Sequence, residues 1–164
     1  MAIRDIRLWP DAVLTQKCLD ADLADSDLPA LIDDLFETMY AANGRGLAAP
    51  QIGVLTRVFV VDVTWKEGVR DPRIFVNPNL LSVSKKTSVM EEQCLSIPDL
   101  PMPVRRPEGI TLSWANVSGE SETAAFDGLL ARCIQHEFDH LYGTLIFVHQ
   151  TAQARAELEA AYVA

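Results

Sequence analysis

His136-Glu137-Phe138-Asp139-His140 sets two imidazoles four residues apart with a carboxylate between them. On a helix, residues four apart share a face, so His136 and His140 can hold one divalent ion while Glu137 beside them carries a proton. The chemistry this suits is hydrolysis, with a metal-polarised water attacking a carbonyl. A helix is predicted here from an N-cap at Asp127 through Leu141. The stretch from Gly128 has no proline, Leu129, Cys133 and Ile134 recur at helical spacing, and Gly143 is a natural stop. The chain has only three histidines, so the pairing of His136 with His140 does not follow from a histidine-rich composition; His149 reads as an ordinary surface residue. Leu129 and Cys133 extend the same face, so both rings are expected to point inward, and buried imidazoles need partners.

A catalytic ion takes a third protein ligand and keeps one position for water. Cys94, in the segment Glu91-Glu92-Gln93-Cys94-Leu95-Ser96-Ile97-Pro98, suits the end of a strand or a turn and is the first candidate. Cys133 is the rival, but three ligands on consecutive turns of one helix splay around a single ion, so Cys133 is read as pocket lining. Cys18 reads as a small core residue. Two imidazoles and a thiolate are, by type alone, a zinc set. A further segment, Gly44-Arg45-Gly46-Leu47-Ala48-Ala49-Pro50-Gln51-Ile52-Gly53, is either a tight turn after a helix or a backbone that approaches a ligand closely, with the Gln51 amide as a donor.

These three segments, GRGLAAPQIG, EEQCLSIP and QHEFDHLYG, occur in an order and at a spacing that resemble the signature set of the peptide deformylases, over nearly the whole chain. The resemblance implies an α+β fold, with mixed or antiparallel β-sheets packed around a central metal-binding helix. It implies Cys94, His136 and His140 as ligands, Glu137 as general acid and base, and the Gln51 side chain and Leu95 backbone N–H at the oxyanion. It also implies Gly46 close to the substrate and Met90, Leu129 and Cys133 around the first side chain. The implied substrates are N-formylmethionyl peptides and the implied ion is ferrous iron, which zinc or nickel can replace. Three departures stand out: Gln93 where the family has glycine, Arg45 where it has an aliphatic residue, and Asp99-Leu100-Pro101 where it has an arginine. Arg45 and Gln93 border the substrate channel in the family, so the chemistry is expected to survive while selectivity shifts.

Two other functions compete. A zinc peptidase shares the His-Glu-x-x-His string but takes a third histidine or a carboxylate further along, where this chain reads Leu141-Tyr142-Gly143. A divergent paralogue, with a shifted substrate range or binding formylated termini without turnover, is motivated by Gln93 and Arg45 and opposed by the retention of Glu137.

The elements that must position these groups are legible in outline. Ser26 and Asp27 can cap a helix from Leu28 to near Asn43-Gly44, with Leu31, Ile32, Leu35, Phe36 and Met39 on its apolar face. Strands are predicted over 58–63, 74–83, 88–95, 109–117 and 122–126, with Pro98, Pro101, Pro103 and Pro107 marking an extended crossing. Thr151 to Tyr162 is predicted to be a final helix. Its Arg155, Glu157 and Glu159 leave it acidic, so ribosomal RNA would repel it and ribosome docking through this helix is not expected.

At 164 residues and 49% hydrophobic composition the chain reads as one catalytic domain, 1–164, with no apolar run long enough for a bilayer. The opening Met1-Ala2-Ile3-Arg4-Asp5 shows no secretory pattern, and three cysteines with one expected as a ligand fit a reducing compartment, so a cytoplasmic location is expected. A net charge of −9 without a basic stripe argues against direct nucleic-acid binding.

Overall fold

The run Val58-Phe59-Val60-Val61 is apolar at every position, the pattern of a strand covered on both faces, and all four residues are buried. Side chains alternate along a strand, so Phe59 and Val61 join one core cluster while Val58 and Val60 join another on the opposite face. The structure, a computed structural model, describes residues 2–162; Met1, Val163 and Ala164 of the expected domain lie outside the described residues.

Three helices are assigned: α1 (Leu28–Ala41), α2 (Gly128–His140) and α3 (Ala152–Ala161). The strands are β1 (Gly46–Ala48), β2 (Val58–Val61), β3 (Arg73–Val83), β4 (Thr87–Cys94), β5 (Ile97–Pro107), β6 (Gly109–Ala115) and β7 (Ser121–Asp127). Five strands form one antiparallel sheet in the order β1-β2-β3-β6-β7, and β4 and β5 form a separate hairpin. One face of the sheet packs on α2 and the residue that caps it, through Ala131, Ile134 and Leu141 against Phe59, Phe75, Leu112 and Phe126. The other packs on α1 through Ile32, Leu35 and Met39. The hairpin has its own core, where Cys94, Ile97, Met102 and Val104 meet Leu14, Ile146 and Phe147. This is the expected α+β architecture, with the histidine-bearing helix between the sheet and the hairpin.

Several local expectations are corrected. The glycine-rich segment is not simply a loop: Gly46–Ala48 is an edge strand and Ala49–Ile52 a 3-10 turn. The proline-rich crossing is β5, paired along its length with β4. Pro101, Pro103 and Pro107 are tolerated because they share parity, so their missing N–H groups fall on the side away from β4. On that side the carbonyls of Pro103 and Pro107 accept hydrogen bonds from Gln150 and Gln135. Asp127 and Asp27 occupy the N-cap positions of α2 and α1, but neither side chain makes a capping hydrogen bond. Leu129 does not face inward; it is 45% exposed, at the rim of a cleft.

Beyond α2 the chain must reverse where there is no room for a side chain. Gly143 has φ +71°, and a Cβ there would lie 2.6 Å from the Thr15 carbonyl. We expect Gly143→Ala to lose more than the ~1–2 kcal/mol that left-handed backbone alone costs, since backbone must also move. Urea unfolding checks this; unchanged stability would show that the turn relaxes freely.

Candidate metal centre and active site

On α2, residues 132, 136 and 140 succeed one another every four positions, on the face turned to the hairpin. The His136 and His140 rings lie 5.1 Å apart, centroid to centroid, and both side chains are buried. The third donor comes from β4. Alternation puts Glu92 and Cys94 on the inner side of that strand and leaves Gln93 exposed. The ligand atoms of Cys94, His136 and His140 all lie within 4.8 Å of one another, with Cys94 Sγ 3.4 Å from His140 Nε2. Cys133 is placed differently: its thiol donates to the Arg45 carbonyl at 3.5 Å and lines the cleft.

Glu92 ties strand to helix. Its Oε1 is 2.9 Å from His136 Nδ1, which leaves Nε2 of that ring as the atom available to an ion. The same carboxylate receives Arg106 through Nε (2.7 Å) and Nη2 (3.0 Å), and Arg132 Nη1 at 2.7 Å. Arg106 also reaches Asp139 at 3.0 Å, and Asp139 in turn contacts the exposed His149 at 3.1 Å. Burial raises the Glu92 pKa, but hydrogen bonds and charge from His136 and Arg106 outweigh it and hold this carboxyl well below the ordinary range.

The pKa values of the two histidines are shifted in opposite directions. Burial lowers the His136 pKa, yet Glu137, Cys94 and Glu92 together draw it well above the ordinary imidazole value. His140 is held well below it, by burial first and then by positive His136 and Arg106. A soft thiol and two imidazoles whose ligand atoms lie within 4.8 Å of one another fit a divalent transition metal.

Around this focus is a cleft of 510 Å³, lined in part by Gln51, Met90, Gln93, Leu95, Leu129 and Glu137. Glu137 is buried with Oε1 lacking any partner among the described residues, and its pKa is raised to about 7. Burial is the main cause; His136 opposes it, while Glu92 and Asp139 add to it. Gly46 is adjacent: a Cβ there would sit 2.6 Å from Glu137 Oε2 and 3.0 Å from Cys133 Sγ, so any larger residue would have to displace the Glu137 carboxylate. The Gln51 amide is oriented at both ends. Its Oε1 accepts the Ala48 N–H at 2.9 Å, and its Nε2 donates to Ser96 Oγ at 3.1 Å while lying 3.7 Å from Cys94 Sγ.

The sequence model of the polypeptide deformylase family matches residues 3–156. The chain belongs to the polypeptide deformylase family. Peptide deformylases of Agrobacterium fabrum and Phenylobacterium zucineum are 44% and 45% identical, over 91% and 96% of this chain and 88% and 93% of theirs. Among solved structures, a peptide deformylase from Legionella pneumophila superposes with a TM-score of 0.90 at 36% identity, covering 97% of this chain and 92% of that one. One from Synechococcus elongatus, in complex with actinonin, gives 0.89 at 35%, covering 96% and 85%.

In this member of the deformylase family all the residues named from the sequence as ligands, catalytic groups or substrate contacts line the cleft or its metal focus, Arg45, Gly46, Gln93 and Met90 among them. Sequence reasoning missed Glu92, Arg106 and Arg132, which orient the donors, as well as Ser96 behind Gln51 and Lys66 on the rim. A signal existed for two of the three: Arg106 follows Met102 and Val104 on an inward-facing parity, and Arg132 lies one turn before His136. Removing a partner of this kind typically costs ~10–100-fold in metal affinity. We expect Glu92→Gln to weaken the metal by that factor in competition with a chelator; an unchanged affinity would show that the carboxylate does not orient His136.

Proposed function

We propose that this chain, as a single catalytic domain, hydrolyses the N-formyl group of formylmethionyl peptides at a ferrous ion held by Cys94, His136 and His140, releasing formate and a free amino terminus. The observation that carries this reading is the convergence of one thiol and two imidazoles beside a desolvated carboxyl in a single cleft. When bound, the ion supplies a Lewis acid that polarises the carbonyl and makes water acidic enough to attack at neutral pH, and zinc or nickel can take the same donors.

The chain's own groups do the remaining work. Glu137, poised near neutrality by burial, takes the proton from the attacking water and delivers it to the departing amine. Charge developing on the formyl oxygen is met by the Gln51 amide and the Leu95 backbone N–H; one such donor is typically worth ~2.7–4 kcal/mol of barrier. β1 is an edge strand, so an extended peptide can run along it past Gly46, where the lack of a Cβ leaves space next to Glu137. The tightness of that corner favours a formyl hydrogen over an acetyl methyl. Met90, Leu129 and Cys133 offer an apolar, flexible rim to the methionine side chain.

The three cysteines are unpaired thiols, which suits the reducing cytoplasm, and among the described residues no helix is long and apolar enough to cross a membrane. On α3 Arg155 is paired with Glu159 at 2.9 Å, so this helix presents no basic face for nucleic acid or the ribosome. We also infer that actinonin, found in the Synechococcus elongatus relative, occupies this cleft.

The deciding assay offers formyl-Met-Ala, acetyl-Met-Ala and an internal peptide to anaerobically purified, iron-loaded protein. Formate from the first alone is expected; cleavage of the internal peptide would mean a peptidase, and binding without formate a non-catalytic paralogue. Glu137→Ala is expected to abolish turnover with metal content retained, and metal loss would assign that side chain a different role. Cys94→Ser is expected to lose iron, because a neutral hydroxyl is a poor ligand; full occupancy with normal turnover would move the third donor elsewhere.

A further inference from the structure

The outer cleft carries two cations that the chemistry above does not use. Arg45 leads into β1, and Lys66 sits on the short 3-10 turn Trp65–Glu67; both line the cleft. The turn is fastened to the cleft wall. Trp65 Nε1 donates to the Gly44 carbonyl at 2.9 Å, its ring meets Tyr40 edge-on at 5.1 Å, and the Tyr40 hydroxyl donates to Asp62 at 2.6 Å. The Asp62 backbone N–H closes the frame on the Arg45 carbonyl at 2.8 Å. Lys66 is therefore held beside Arg45 by the same contacts that shape the substrate edge.

Neither cation has a close acidic partner among the described residues, although Lys66 Nζ lies 5.9 Å from the Trp65 ring centroid. Arg45 Nε is buried and makes no hydrogen bond among the described residues, and Nη2 is 3.8 Å from Glu67 Oε1, too far for a hydrogen bond to that largely exposed acid. Lys66 has no ion-pair partner within 4.0 Å among the described residues. Its pKa is drawn below the ordinary lysine value, by partial burial first and then by the charge of Arg45, with Glu67 opposing. Two like charges side by side favour an anion between them. The acids that line the cleft further out, Glu91 and Asp99, belong to the hairpin, which leaves the β1 side positive.

We propose that Arg45 and Lys66 form a carboxylate-binding subsite in the outer cleft. It gives the chain a preference for formylated peptides bearing an acidic side chain, or a free terminal carboxylate, within the first residues after formylmethionine. The proposal rests on the deformylase reading. Side chains of an extended peptide alternate between two sides, so an acid is favoured at one of two adjacent positions and not at both.

The test compares kcat/KM for formyl-Met-Ala-Ala-Ala-amide, for the same peptide with Asp second or third, and for the all-alanine peptide with a free carboxylate. The amidated aspartate peptides report a side chain and the free acid reports a terminus. At low salt the favoured acidic peptide is expected to exceed the neutral amide by about three- to fivefold, the range of an exposed ion pair. The ratio should fall towards one as ionic strength shortens the screening length. Arg45→Ile and Lys66→Ala should each reduce the ratio and together abolish it, while Glu67→Gln, which removes the competing acid, should raise it. A second arm needs no turnover: Met-Asp-Ala-Ala-amide, Met-Ala-Asp-Ala-amide and Met-Ala-Ala-Ala-amide are titrated calorimetrically into metal-loaded protein, with one acidic peptide expected to bind more tightly. Absence of formate from the neutral amide would defeat the deformylase reading, whereas the binding order still decides the subsite. Equal ratios and equal binding for acidic and neutral peptides, or a preference that survives in the double variant, would overturn the proposal.

Discussion

A buried carboxylate joins two elements that have no backbone pairing. Glu92 on β4 receives His136 and Arg132 from α2 and Arg106 from β5, and through Arg106 it is linked to Asp139. Two acids and two guanidiniums balance one another, so the network is neutral before the imidazole is counted. A carboxylate this deep would be costly if unpaired; with both oxygens engaged it fixes direction instead. Cys94 lies two residues further along the same strand face. Whatever orients Glu92 against the helix therefore brings the thiol to the histidines.

The same packing sets the chemistry. Closing the hairpin over α2 removes water from Glu137, and that desolvation is the main cause of its near-neutral pKa. It also requires Gly46, since the edge strand passes so close to Glu137 that a methyl group would collide with it. The site is assembled by mutual approach of a strand edge, a hairpin and a helix, each with one side chain reduced or buried to allow it. The departures at the cleft wall do not disturb that assembly, because Arg45, Gln93 and Asp99 line the cleft outside the donor cluster.

What could be read from the chain followed the range of the interactions. His136, Glu137 and His140 were legible because four-residue spacing on a helix is a local property. The sheet strands and α1 were legible because their apolar periods are, and most boundaries fall within two residues of expectation. Cys94 could be ranked above Cys133 by the geometry of a single helix, without knowing the fold. The inward parity of Arg106 and the helical position of Arg132 carried a signal, but their pairing with Glu92 could not be read: its partners lie 14, 40 and 44 residues away, and only folding makes them neighbours. Glycine and proline were less legible. Gly46 was open between a turn and a close approach, and it is a close approach within an edge strand; the prolines of β5 concealed a strand because the parity of their missing donors becomes meaningful only once β4 is known.

We propose that the hairpin thiol and the two helix imidazoles share one ion and that Cys133 does not bind it. Iron K-edge X-ray absorption fine structure on the reconstituted protein measures this directly. A single sulfur scatterer among lighter nitrogen and oxygen neighbours is predicted, persisting unchanged in Cys133→Ser. Two sulfurs, none, or loss of the sulfur signal in Cys133→Ser would contradict it.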